Sequence, residues 1–156
     1  MKNVKKILLV CTGNSCRSIM AEGYLAKRLK DLGLKDITIM SSGTGAMPGL
    51  KPTGEAIQVT KEHNIDVSGY VSSRLDKGHI QNADVILVME PRHKEVILDM
   101  APEVKDKVYL LRAFASEENR KIDFIKDPIV KPLEFYKEVF EIIKDSIEGF
   151  LKWLKE

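Results

Sequence analysis

The sequence predicts a three-layer α/β/α fold around a four-stranded parallel sheet. Three observations carry that prediction. Four short apolar runs rich in Val and Ile alternate with helical patterns along the chain. At 156 residues the chain suits one domain, residues 1–156, with a sizeable core. The first apolar run breaks into a polar, glycine-containing loop, as strands do where they turn into helices.

The elements follow in order. Residues 6–10 read as a buried strand. Residues 17–32 place apolar side chains at 20, 21, 24, 25, 29 and 32, one helical face, and Gly33 follows as its C-terminal cap. Residues 37–40 form a second strand, 53–63 a helix, and 85–89 a third strand. A helix over 92–100 opens behind Pro91, whose fixed φ suits a first turn. Residues 108–111 give the fourth strand. The last helix is the clearest, with Phe135, Val139, Ile143, Ile147, Phe150 and Leu154 on one face and charged residues on the other. Strands alternating with helices imply right-handed crossovers and helices on both faces. In such sheets ligands sit outside the carboxyl ends of the strands.

Composition narrows the partners. Hydrophobic residues at 44% and charged residues at 31% describe a globular chain rather than a disordered one. A formal charge of +2, with both signs mixed along the chain, offers no basic stripe for nucleic acid and no polybasic membrane anchor. The apolar run after the N-terminal lysines stops at Thr12-Gly13-Asn14, too short for a signal core or a membrane span, so a cytoplasmic protein is expected. In that compartment Cys11 and Cys16, the chain's two cysteines, are expected to be thiols.

Both thiols lie in one loop, Cys11-Thr12-Gly13-Asn14-Ser15-Cys16-Arg17-Ser18. Zinc needs about four ligands, and His63, His79 and His93 are scattered, each reading as a surface or helix residue; no metal or cofactor is expected. Thioredoxin-type chemistry wants Cys-x-x-Cys, and a Walker A loop wants Gly-Lys-Ser/Thr; neither is present. What remains is an anion cradle around a thiolate. A loop between a strand tip and a helix can turn its N–H groups toward one phosphate. Gly13 and Asn14 are the residues suited to left-handed turns. Arg17 supplies a planar fork for two phosphate oxygens, Cys11 faces the phosphorus, and Ser18 can reach the sulfur. Cys16 is a candidate redox partner that could capture an oxidised Cys11.

The loop resembles the signature Cys-x-Gly-Asn-x-Cys-Arg-Ser of the low-molecular-weight protein tyrosine phosphatases, and the bacterial protein-arginine phosphatase branch also resembles this chain. The resemblance runs on through Met20-Ala21-Glu22, Ser41-Ser42-Gly43-Thr44, the strand at 84–89 and the pair Asp127-Pro128, almost the whole chain. It implies Cys11 as nucleophile, Arg17 as phosphate clamp and Asp127 as general acid and base, with Thr12, Gly13, Asn14, Ser15, Cys16 and Ser18 around the substrate. It also implies that Asn14 and Ser42 hold the loop's curl. Phosphorylated proteins are the implied partners, and a monomer the expected state. Independently, an ester oxygen leaving phosphorus needs a proton, and Pro128 biases Asp127 toward an extended loop that can reach inward.

Some positions depart from the pattern. Ile19 stands where Pro is common, and Tyr70 where a loop-supporting His is usual. Met47, Ile129 and Val130 occupy positions where the family carries aromatic slot walls. Ser15 resembles the Thr of the arginine-specific branch more than the Ile or Leu of tyrosine-specific relatives. The leading expectation is a protein-tyrosine phosphatase, with a protein-arginine phosphatase as alternative. Arsenate reduction, which relays electrons through additional cysteines, and a non-catalytic phosphate-binding module are weaker alternatives.

Overall fold

The computed structural model describes residues 1–156. Strands and α-helices follow in the order β1 (Lys6–Cys11), α1 (Arg17–Asp31), β2 (Thr38–Gly43), α2 (Gly54–Lys61), α3 (Lys77–Asn82), β3 (Val85–Val88), α4 (Pro91–Met100), β4 (Val108–Leu110) and α5 (Leu133–Lys155), with short 3-10 turns between α4 and α5. The four strands pair in parallel in the order β2-β1-β3-β4. Successive side chains on β1 serve opposite cores. Ile7, Leu9 and Cys11 join the larger cluster under α1, α2 and α5, whereas Leu8 and Val10 join the smaller one with Ile80, Ile97 and Val104. Both faces are therefore covered, as the near-continuous apolar runs require. Fully buried side chains of α5 such as Phe150 and Ile147 each contribute about 1.5–3 kcal/mol.

The strand order reverses between β1 and β3, so the loops after these two strands diverge and leave a crevice at their carboxyl ends. Cys11 closes β1, and Glu90 follows β3 just before α4. The site lies here.

Helix α1 ends as its sequence indicates. Gly33 takes a φ of 71°, its N–H bonds to Lys30, and Leu34 N–H bonds to Leu29. β2 begins at Thr38 rather than residue 37 and runs on through Ser41-Ser42-Gly43, past the predicted end at Met40. Small polar residues carry little strand propensity, but parallel pairing of Ser42 with Val10 and Gly43 with Cys11 extends the strand. Gly43 is sterically required: a Cβ there would meet the Thr12 carbonyl, with Asn14 N at 3.0 Å. α3 is absent from the sequence reading because its six residues hold one buried apolar side chain, Ile80, too few for a periodic signal. It is started by Asp76, which accepts the His79 N–H at 2.8 Å.

Candidate active site

The loop after β1 is held from outside by its carbonyls. Cys11, Thr12 and Ser15 carbonyls accept N–H groups of Thr44, Gly45 and Thr53 at 2.9, 3.0 and 3.0 Å. A trans peptide points its N–H opposite its carbonyl, so the amides of Thr12, Gly13 and Cys16 face away from those neighbours. The curl turns at Asn14, whose φ is 52°. Gly13 keeps a negative φ region, so of the two residues expected to take left-handed geometry only Asn14 does so.

Asn14 is the loop's brace. Its Nδ2 donates to Ser18 Oγ at 2.7 Å and to Ser41 Oγ at 3.0 Å, and its Oδ1 accepts the Ser73 N–H at 2.8 Å. Ser41 in turn donates to Glu22 Oε1 at 2.5 Å. Burial raises the Glu22 carboxyl, against the opposing pull of that hydrogen bond. The expected brace Ser42 is a correction: its buried hydroxyl has no hydrogen-bond partner. Adjacent strand residues face opposite ways, and Ser41, in register with Leu9, is the one on the α1 side. Tyr70 is half-buried and the Ser73 backbone, rather than residue 70, completes Asn14's bonding.

Cys11 Sγ lies 3.0 Å from Ser18 Oγ and accepts the Asn14 N–H at 3.3 Å. Because Ser18 Oγ already accepts from Asn14, its own hydrogen is free to point at the sulfur. Arg17 is 1% exposed. Its Nη1 donates to Glu90 Oε2 at 2.6 Å and to the Ile125 carbonyl at 2.8 Å, and its Nη2 lies 3.6 Å from Asp127 Oδ2. Arg17 Nε is buried without a protein partner. Burial pushes the Glu90 carboxyl up, but Arg17 and Arg92 outweigh it and hold it below the usual carboxylate range.

Asp127 enters from the segment before α5. Its Oδ1 accepts the Ile129 N–H at 3.1 Å, and Lys131 N–H closes a turn onto Pro128 at 2.9 Å with Val130 at a φ of 56°. Cys16 Sγ donates to the same Oδ1 at 3.8 Å. Burial, then Cys11 and Asp127, push the Cys16 thiol up to about 12, so it stands as a neutral donor.

A cavity of about 180 Å³ is bounded by Cys11, Thr12, Gly13, Ser15, Cys16, Arg17, Asp127 and Ile129. Asn14 and Ser18, expected around the substrate, are not on its wall; they are buried and shape the loop from behind. Of the three positions expected to wall the slot, Ile129 does so, whereas Met47 and Val130 do not and are 68% and 92% exposed.

Sequence reasoning missed the residues after β3. His93, read as a surface or helix residue, is on α4 but 1% exposed, and its ring reaches Thr12 Oγ1 at 2.8 Å. Its Nδ1 accepts the Glu90 N–H at 3.1 Å, which leaves Nε2 to carry the hydrogen toward Thr12. Burial, then Arg17, lower His93 from 6.5 to about 4. The available signal was Glu90-Pro91-Arg92-His93, a capping-box spacing at the carboxyl end of a buried strand.

Chemically, this loop suits a tetrahedral anion attacked by sulfur, with a proton carrier opposite. Fold and site together define the class: a cysteine-dependent phosphatase on a parallel α/β sheet. Comparison with known proteins narrows the class to a family. The chain belongs to the low molecular weight phosphotyrosine protein phosphatases, whose family model matches residues 6–156. It is 36% identical over 151 residues to a protein-arginine-phosphatase of Geobacillus stearothermophilus, covering 97% of this chain and 94% of that one. It is 34% identical over 140 residues to the low molecular weight protein-tyrosine-phosphatase Wzb of Escherichia coli K12, covering 90% and 88%. Among solved structures, a YwlE arginine phosphatase, a cysteine-to-serine mutant with a phosphorylated active-site serine, superposes with a TM-score of 0.88 at 29% identity, covering 97% of this chain and 96% of that one. No helix is long and apolar enough to cross a membrane.

Proposed function

We propose that the chain dephosphorylates phosphorylated proteins, phosphotyrosine foremost, through a phosphocysteine on Cys11. Cys11 Sγ attacks phosphorus as the bond to the leaving oxygen breaks. That oxygen takes the electron pair and a proton from the Asp127 carboxyl. Asp127, now a carboxylate, removes a proton from water, whose oxygen attacks phosphorus. The P–S bond breaks, and phosphate and the Cys11 thiolate are released. Arg17 and the inward amides bind the phosphoryl oxygens and counter the charge that develops on them.

The observation that carries this reading is the placement of Cys11, Arg17 and Asp127 on one small cavity, with the buried Arg17 Nε still free to donate. The phosphorylated active-site serine of the structurally similar YwlE cysteine-to-serine mutant supports covalent chemistry for this chain. The test is quenched-flow trapping of phosphoenzyme with p-nitrophenyl phosphate. Absence of a phosphocysteine, with normal turnover, would end the mechanism.

Phosphoarginine hydrolysis is the second reading. Ser15, a residue with a hydroxyl, lines the cavity and no aromatic residue does, so a guanidinium can be accommodated. Two of the chain's relatives are protein-arginine-phosphatases. Side-by-side rates on phosphotyrosine and phosphoarginine peptides separate the two. The cytoplasm and a monomeric state fit this role, and both belong to the proposal.

A further inference from the structure

We propose that a second cavity, between the segment carrying Ile122 and Ile125 and helix α5, binds a small amphipathic carboxylate that acts on the Asp127 loop. The cavity is about 210 Å³, with Ile122, Ile125, Phe135, Val139 and Ile142 forming its apolar wall. Its charged residues are Arg112, Lys126 and Glu138. The exposed Lys126 and Glu138 offset one another, so Arg112 sets the sign.

Arg112 is 9% exposed, and it forms no salt bridge. Its Nε donates to the Asn119 carbonyl at 2.6 Å and its Nη1 to the Phe124 carbonyl at 2.8 Å. Neutral carbonyls leave a buried cation without a counter-charge, a costly arrangement that burial registers by lowering its pKa. A carboxylate answers that charge, with the guanidinium fork as its natural partner. The apolar wall selects a short hydrocarbon tail, and a volume below the usual range of ligand sites limits it to an aliphatic acid of about six to eight carbons.

The same arginine touches the chemistry indirectly. It holds the Phe124 carbonyl, while the next carbonyl, Ile125, holds Arg17 Nη1. An anion that draws the Arg112 fork toward itself loosens Phe124 and shifts the backbone leading to Asp127. This coupling rests on the catalytic reading above; the binding does not.

The test is calorimetric and thermal-shift titration with octanoate and, as neutral control, octan-1-ol. The proteins are the wild type, Ile142→Trp, which fills the apolar half, and Arg112→Met, which removes the charge. Inactive Cys11→Ser serves equally for binding, so failure of the catalytic reading remains distinguishable. Octanoate is expected to bind saturably and raise Tm, octanol not, and either variant to weaken binding by about tenfold or more. At saturation kcat for p-nitrophenyl phosphate should change. No saturable binding to wild type, or equal binding to Ile142→Trp, overturns the site; Ile142→Trp decides even where Arg112→Met fails to fold. An equal response to octanol overturns the role of the guanidinium, and binding with unchanged kcat overturns the coupling.

Discussion

Arg17 and Glu90 meet at 2.6 Å, Nη1 to Oε2, although 73 residues separate them. The pair joins the two loops flanking the sheet's switch point, and it orients a guanidinium that is 1% exposed. Removing one partner of such a pair leaves a charge buried without compensation. Glu90→Gln should cost about 2–3 kcal/mol, somewhat discounted because Glu90 is 19% exposed. A clamp displaced by a fraction of an ångström should also lower kcat/KM by about tenfold to a hundredfold. Urea unfolding and steady-state kinetics measure the two effects. Wild-type values for both would mean that Glu90 does not position Arg17.

For the chemistry itself, Cys11→Ser should abolish turnover while phosphate analogues still bind, because a serine hydroxyl is a far weaker nucleophile than a cysteine sulfur and the phosphate-binding groups are kept. Asp127→Asn should slow the chemical step by about 10²–10⁴-fold, most for poor leaving groups. Rates across a series of aryl phosphates reveal that dependence. A flat response to leaving-group basicity would remove Asp127 as the acid.

How much of this was legible in the sequence differs by residue. β1 and α5 were readable because one is apolar after its first residue, Lys6, and the other keeps its period over 23 residues. The loop was readable because its residue types have few other uses together. Ser41 was misplaced by one position because neighbouring serines look alike until a strand register assigns each to a face. Glu90 and His93 were missed because their partners Arg17 and Thr12 lie more than 70 residues away, beyond any local pattern. The slot wall was over-read: Met47 and Val130 are near in the family pattern, but backbone geometry, including Val130 at a φ of 56°, turns them to solvent.

His93 carries a pH prediction. Its folded pKa, about 4, lies below the ordinary 6.5. Between those values the unfolded chain holds a proton that the folded protein does not, so His93 makes stability fall as pH drops through that window. Unfolding free energies measured from pH 7 to 4.5 should therefore slope more steeply in wild type than in His93→Gln, by up to about one proton. Equal slopes would show that the imidazole is not held neutral against Thr12 and Glu90.

Cys16 carries a redox prediction. A single peroxide equivalent converts the Cys11 thiolate to a sulfenic acid with release of water or hydroxide. Attack by Cys16 then forms a disulfide and expels a second water. Dithiothreitol should restore wild-type activity, whereas Cys16→Ser should recover less after further peroxide. Because burial and its neighbours push the Cys16 thiol up to about 12, disulfide formation should accelerate as pH rises. Equal recovery of both proteins would refute a protective role and leave Cys16 as the neutral donor to Asp127 that the 3.8 Å contact shows.

Substrate choice turns on Ser15. It lines the cavity together with Thr12, Cys16 and Ile129, and no aromatic residue lines it to stack on a phenol ring. Losing one aromatic pair costs phenol binding about 0.5–1.5 kcal/mol. The Ser15 hydroxyl can accept a hydrogen bond from a guanidinium, which a phenyl ring cannot offer, yet serine lacks the branching methyl that would fix its rotamer. Neither substrate is strongly selected, so measurable hydrolysis of both is expected. Ser15→Ile removes the polar contact and adds apolar surface for a ring. It should raise the phosphotyrosine-to-phosphoarginine ratio of kcat/KM, with p-nitrophenyl phosphate turnover as the control for an intact loop. An unchanged ratio with an active loop would show that Ser15 does not select, and the arginine reading would lose its main local support.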